Sequence, residues 1–137
     1  TPATMLDDIP LYDLLLTPTR IYVKSVLAVL AELPVHAIAH ITGGGPTGNI
    51  PRTLPDGLEA VLDEHAWPRP AVFDWLERTG RIERDEMHRT FNCGLGMTLT
   101  VAATDADRAL AILRDCGEQA SVVGEVRRGT RGAVIER

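Results

Sequence analysis

The sequence predicts an α+β domain, with a mixed or mostly antiparallel sheet packed against helices. Three observations carry this. Strand-length apolar segments and helix-length amphipathic segments follow one another without strict alternation. One short strand runs directly into Gly43-Gly44-Gly45 and a candidate helix start. The 137 residues, 45% hydrophobic and 24% charged, suit one domain able to bury a core.

In chain order, Leu11 to Leu16 make a short apolar patch suited to docking on the body of the domain. Thr17-Pro18 offers a helix entry, with Thr17 as cap and Pro18 in the first turn. Tyr22, Val26, Val29 or Leu30, and Leu33 trace a stripe at helical spacing, predicting an amphipathic helix over 19–33 that Pro34 stops. Arg20 and Lys24 lie one turn apart on another face. Over 35–41, Val35, Ala37, Ala39 and Ile41 share one face of a two-residue period, with His36, Ile38 and His40 on the other. The three glycines strip every Cβ from the turn, so backbone N–H groups there can approach a ligand closely. Thr47 or Asn49 is placed to cap the helix that follows. This arrangement suits a phosphate, and it equally suits a plain tight turn. It is not a P-loop, because no Gly-Lys-Ser/Thr follows.

Leu54-Pro55-Asp56-Gly57 signals a turn ahead of a strand over 58–63. Trp67-Pro68-Arg69-Pro70 is a stiff connector into a helix beginning at Ala71, with Val72, Phe73, Trp75 and Leu76 as its bulk. A short helix over 83–91 is acidic at its start and basic at its end, as the macrodipole prefers. The break over 92–96 precedes a strand over 97–103. A helix over 105–116, with Ala106, Ala109, Leu110 and Leu113 on one face, ends at Gly117. Segments 121–127 and 133–136 read as the two strands of a hairpin turning across 128–132.

Composition narrows the function classes. A net charge of -5 provides no global positive field for nucleic acid or an anionic membrane. With 4% aromatics a base-stacking surface is not expected, and both tryptophans read as core anchors. No apolar run approaches a membrane span, and no signal-peptide pattern opens the chain. Cys93 and Cys116 make no disulfide framework, so a reducing cytoplasm is the expected compartment. A start at Thr1 has two readings, a processed terminus or a piece of something longer.

Few constellations promise chemistry. His36 and His40 are four apart but on a strand, Ala37 stands where a zinc-protease glutamate belongs, and no third ligand is apparent; no metal site is expected. His40, beside the loop, is either a donor to an anionic ligand or a histidine hydrogen-bonded in the sheet. Cys93 has only His88 and Arg89 near in sequence to activate it, and reads as a buried or pocket-lining residue, while Cys116 reads as structural. The acidic residues are scattered, with no set spaced for magnesium, so ATP chemistry would need metal ligands from another domain.

Four stretches taken together closely resemble one family: 18–25 (Pro18-Thr-Arg-Ile-Tyr-Val-Lys-Ser25), 35–45, Asn49-Ile50-Pro51-Arg52, and 86–97 with its Arg89-Thr-Phe-Asn-Cys-Gly94 run. The family is aminoimidazole ribonucleotide synthetase, the phosphoribosylformylglycinamidine cyclo-ligase of purine biosynthesis. Gly124-Glu125-Val126 resembles a feature of the wider superfamily, which includes selenophosphate synthetase and thiamine-monophosphate kinase; the Arg89 to Gly94 run points to the cyclo-ligase. The resemblance is to the C-terminal domain only. It implies that residues 1–16 extend from an N-terminal ATP-binding domain and that 17–137 form the C-terminal domain. ATP and Mg2+ would be bound mainly by that other domain, which would also supply much of a homodimer interface. The glycine-rich loop would face the cleft between domains, and this chain alone would be inactive.

The reaction implied by the resemblance is ATP-dependent cyclisation of formylglycinamidine ribonucleotide to aminoimidazole ribonucleotide, ADP and phosphate. ATP phosphorylates the formamide oxygen, an amidine nitrogen attacks that carbon, and phosphate leaves. Position by position, the resemblance puts phosphate or substrate on Thr42, Gly43, Gly44, Gly45, Asn49 and Arg52, with His40 the candidate catalytic residue. It sets Arg89, Asn92 and Cys93 along the cleft, and it leaves the base for ring closure unassigned. One departure is Gly48, where members commonly carry glutamate. Two other functions stay open: a phosphoryl-transferring relative, and a non-catalytic module that binds a phosphorylated metabolite.

Overall fold

The computed structural model describes residues 4–136. A two-residue antiparallel ladder, β1 (Met5–Leu6) with β2 (Ile9–Pro10), leads into helix α1 (Leu11–Leu15), which buries Leu11. The chain continues through α2 (Val23–Glu32), β3 (Val35–His40) and α3 (Gly45–Asn49), which runs on as a 3-10 turn, Ile50–Thr53. Then come β4 (Leu58–Asp63), α4 (Ala71–Gly80), α5 (Arg84–Thr90), β5 (Met97–Val101), α6 (Ala106–Asp115), β6 (Gly124–Arg128) and β7 (Gly132–Glu136). The class is α+β, as the sequence predicts. Among the described residues no helix is long and apolar enough to cross a membrane.

Two sheets make two cores. β3 pairs antiparallel with β5, and α2 and α6 cover one face of that pair. Val29, Ala109 and Ile112 are buried there against Leu99 and Val101. The second sheet has the order β6-β4-β7, and its central strand buries Ala60 and Leu62 with Trp67 and Leu95. Ile41 and Ile50, on either side of the glycine turn, are both buried in this second core. Burying each is worth about 2 kcal/mol, so the turn is fastened at both ends by apolar anchors.

Five local expectations are corrected. The second helix begins at Val23, not at residue 19. Thr17 caps nothing; its hydroxyl donates to the Asp13 carbonyl at 2.9 Å. Tertiary contacts hold the segment out of the helix: Arg20 donates to the Gly117 carbonyl at 2.6 Å and pairs with Glu118, and Tyr22 packs its hydroxyl against Gly96. Val35 does not share a face with Ala39 and Ile41, because the ladder to β5 skips a residue between Val35 and Ala37. Past that bulge the alternation is as expected, while Val35 turns into the α2–α6 core.

The caps and the hairpin also differ. Neither Thr47 nor Asn49 caps α3, because that helix starts earlier, at Gly44 in the left-handed region (φ 105) with Pro46 in the first turn. The last two strands form no hairpin: β4 inserts between them, antiparallel to β6 and parallel to β7. An apolar Ala60-Val61-Leu62 run needs partners on both edges, and β6 and β7 supply them. Gly124 permits the close approach, since a Cβ there would sit 2.0 Å from the Val61 carbonyl oxygen.

Candidate functional site

The glycine turn divides into an inward and an outward half. Gly45 is the inward half: it is buried, its φ is 58, and its N–H donates to the Thr42 carbonyl at 3.0 Å. A Cβ on Gly45 would lie 2.0 Å from the His88 carbonyl oxygen and 2.8 Å from that of Phe91. Gly45 is therefore the contact by which α3 seats on α5, and its N–H is already used. Thr42 and Gly43 are exposed and Gly44 half-buried. Among the described residues the N–H groups of Gly43 and Gly44 have no internal partner.

Asn49 shapes this outward half from behind. Its Oδ1 accepts from the Thr42 N–H at 2.7 Å and the Thr42 hydroxyl at 3.2 Å, while its Nδ2 donates to the Gly43 carbonyl at 3.2 Å. Asn49 is buried and, in this structure, braces the loop's own backbone. Arg52 is exposed, stands 3.6 Å from where a Gly44 Cβ would be, and has no acidic partner among the described residues. Two amides without internal partners and an unpaired guanidinium beside Gly44 are donors of the kind an oxyanion takes. Arg131 supports the 3-10 turn that carries Arg52 by donating to the Pro51 carbonyl at 2.9 Å. At Gly48 a Cβ would meet nothing within 4 Å, so the residue there is not dictated by space.

The other sequence-derived candidates are dispersed. His40 is exposed and stands edge-on to Tyr22, ring centroids 6.0 Å apart. Arg89 points outward, 73% exposed and paired with Glu86. Asn92 accepts the Gly94 N–H at 3.0 Å, closing a turn that sets Cys93 at φ 48. Gly94 lets that turn press on the connector, since a Cβ would sit 2.6 Å from the Pro68 carbonyl oxygen. Cys93 is fully buried, with its carbonyl accepting from the Trp67 indole at 3.1 Å. Burial pushes the Cys93 thiol up to about 11, the opposite of what a nucleophile needs. Cys116, at the end of α6, is exposed. A thiol reagent added to the native chain is expected to modify Cys116 alone, and Cys116→Ser to leave no fast-reacting thiol until denaturant is added.

Sequence reasoning missed a second polar cluster, on the far side of α5. A cavity of about 290 Å³ is lined by Glu64, Trp67, Arg69, Arg84, His88 and Cys93, among others. His88 Nε2 lies 3.2 Å from Glu64 Oε2, and Arg84 Nε donates to the same oxygen at 3.1 Å. The carboxylate only accepts, so the neutral imidazole carries its proton on Nε2. His88 Nδ1 and Arg69 Nη1 are buried without a hydrogen-bond partner. Arg84 and His88 are one turn apart on a helix and could be paired from the sequence, but nothing in the sequence brings Glu64 to them.

Burial lowers the His88 pKa, against the opposing pull of Glu64. Burial alone would raise Glu64, but hydrogen bonds from Arg84 and His88, with their charges, leave it below the usual carboxylate range. Both groups therefore bind protons less readily folded than unfolded. Their stability is in full above the ordinary histidine value of 6.5 and drains as pH falls. Urea midpoints are expected to drop between about pH 7 and pH 5, and His88→Gln to flatten the upper part of that slope.

One comparison with known proteins bears on this geometry. The family model described as AIR synthase related protein, C-terminal domain, matches residues 2–137.

Proposed function

The chain belongs to the AIR synthase related family by its C-terminal domain, and from that premise we propose that it is the C-terminal half of the ligase that cyclises formylglycinamidine ribonucleotide to aminoimidazole ribonucleotide. The observation that carries this reading is the donor set of the free Gly43 and Gly44 amides and the unpaired Arg52 guanidinium, which suits the substrate's 5′-phosphate. Asn49 braces the loop for it, and the Thr42 hydroxyl, which here donates to Asn49, would turn to the phosphate. The role of this half is to bind and orient the ribonucleotide.

In the same reading ATP and Mg2+ are held mainly by an N-terminal domain, from which residues 1–16 lead, and the complete enzyme is a cytoplasmic homodimer. Among the described residues no group of three His, Cys, Asp or Glu is placed to hold a metal ion, so no step is assigned to magnesium within this chain. Isothermal titration of the 137-residue chain with formylglycinamidine ribonucleotide and, separately, with ATP–Mg2+ tests the proposal. Weak, phosphate-dependent binding of the ribonucleotide is expected, without measurable ATP–Mg2+ binding. Tight ATP–Mg2+ binding by this chain alone would overturn the division of labour.

A further inference from the structure

We propose that Glu64 and His88 are a positioning pair for the glycine loop: the buried ring contact between them fixes the His88 main-chain carbonyl, which in turn fixes Thr47 and Gly45. The inference rests on the reading of that loop as an oxyanion site.

The last carbonyls of a helix lack partners inside it, and α5 closes its end on its own C-cap and spends the His88 carbonyl on the junction with α3. The Met87 carbonyl accepts from the Phe91 N–H at 2.8 Å and from Cys93 Sγ at 3.6 Å. The His88 carbonyl accepts from the Thr47 hydroxyl at 3.1 Å and closes on Gly45, leaving no room for a Cβ. One residue thus carries both halves of the device, a ring facing the cavity and a carbonyl facing α3. The residue is held at both ends, the ring by Glu64 and the carbonyl by Thr47 and Gly45, so a displaced ring pulls on the carbonyl's contacts. Gly43 and Gly44 directly precede Gly45, so their free amides move with it.

The charged surroundings of the ring are well defined. Glu64 and His65 come from just past the end of β4, Arg69 from the connector and Arg84 from α5 itself. Asp74 and Glu77 of α4 reach it through the two arginines, and Cys93 lies behind it. From α3, Gly45–Asn49, no titratable group faces it. When the ring takes a proton, Nδ1 becomes a donor with no acceptor, set among two arginines. The Nε2–H contact to Glu64 gains charge, but the stranded Nδ1 donor and the two arginines push the ring out of its place, so anion affinity at the loop falls with acidification.

The test is an amide NMR titration of the 15N-labelled chain with sulfate, whose charge is constant across the range of about pH 5 to 8 in which histidines titrate. In the wild-type chain the Gly43 and Gly44 amides are expected to shift with sulfate, and the ligand-free Gly44 and Gly45 amides to titrate with the same midpoint as the His88 ring. Thr47→Val should weaken sulfate by about threefold to tenfold, the loss of one supporting hydrogen bond. His88→Gln should abolish the loop titration while the amides of α6 stay in place. Should His88→Gln fail to fold, Thr47→Val and the wild-type midpoints still decide. Sulfate shifts at the loop that are unchanged in Thr47→Val, with loop amides that ignore the His88 titration, would overturn the positioning pair alone. A folded wild-type chain whose loop amides respond to neither sulfate nor the ribonucleotide would overturn the oxyanion reading, and the pair with it.

Discussion

Replacing Gly45 with alanine is expected to destabilise the chain by about 2–5 kcal/mol, the largest effect of any single methyl group in the loop. Two costs add. The φ of 58 is a left-handed conformation that costs an L-residue about 1–2 kcal/mol. The methyl would also meet the carbonyl oxygens of His88 and Phe91 at 2.0 and 2.8 Å, and overpacking of that kind costs about 1–3 kcal/mol. The neighbouring Gly43→Ala is the control, because a Cβ there meets nothing within 4 Å and the φ is not positive. Chemical denaturation of the two variants checks the contrast. Equal stability of both would mean that α3 is not seated on α5 in the way described.

Arg52→Ala is expected to do the reverse, leaving the denaturation midpoint unchanged while weakening the phosphorylated ligand by about ten- to a hundredfold. The guanidinium is exposed and unpaired among the described residues, so its removal breaks no internal contact. A charge-assisted hydrogen bond to a phosphate is worth about 1.5–3 kcal/mol, which sets the expected loss. Titration of the variant with the ribonucleotide, alongside the dephosphorylated nucleoside with the wild-type chain, reads this directly. Loss of the phosphate should cost at least as much as Arg52→Ala, since it also forgoes the Gly43 and Gly44 amides; ribonucleotide binding that ignores Arg52→Ala would move the phosphate elsewhere.

The contrast between Gly45 and Arg52 shows what the sequence could disclose. Adjacent glycines announce a turn, but only the position of α5 separates the glycine that must admit a helix from those that offer free amides. The strand Leu58–Asp63 was legible to the residue, because an apolar run between turn signals needs no distant information. Most of Val35–His40 was legible for the same reason, until the bulge at its start moved Val35 to the other core. Thr17-Pro18 misled because a cap signal is local, whereas the pull of Glu118 on Arg20 is not. The β6–β7 hairpin misled in the same way: the turn residues were right, and the intruding strand comes from far upstream. Glu64 and His88 were invisible as a pair, because ring and carboxylate meet only after β4 and α5 are packed.

The placement of β4 also governs the order in which the molecule can assemble. Leu58 must wait for Arg128, and Asp63 for Glu136, before either edge of the central strand is closed. During synthesis, then, the strand that follows the glycine loop emerges early and stays open on both sides while most of the remaining chain is made. Such distant pairings close slowly, and an unpaired apolar strand in the meantime invites the wrong neighbour. The ribosome hands over the glycine loop long before the sheet beside it, so a chain cut short before Gly124 would carry the whole loop, Thr42 to Arg52, and neither strand that closes on β4.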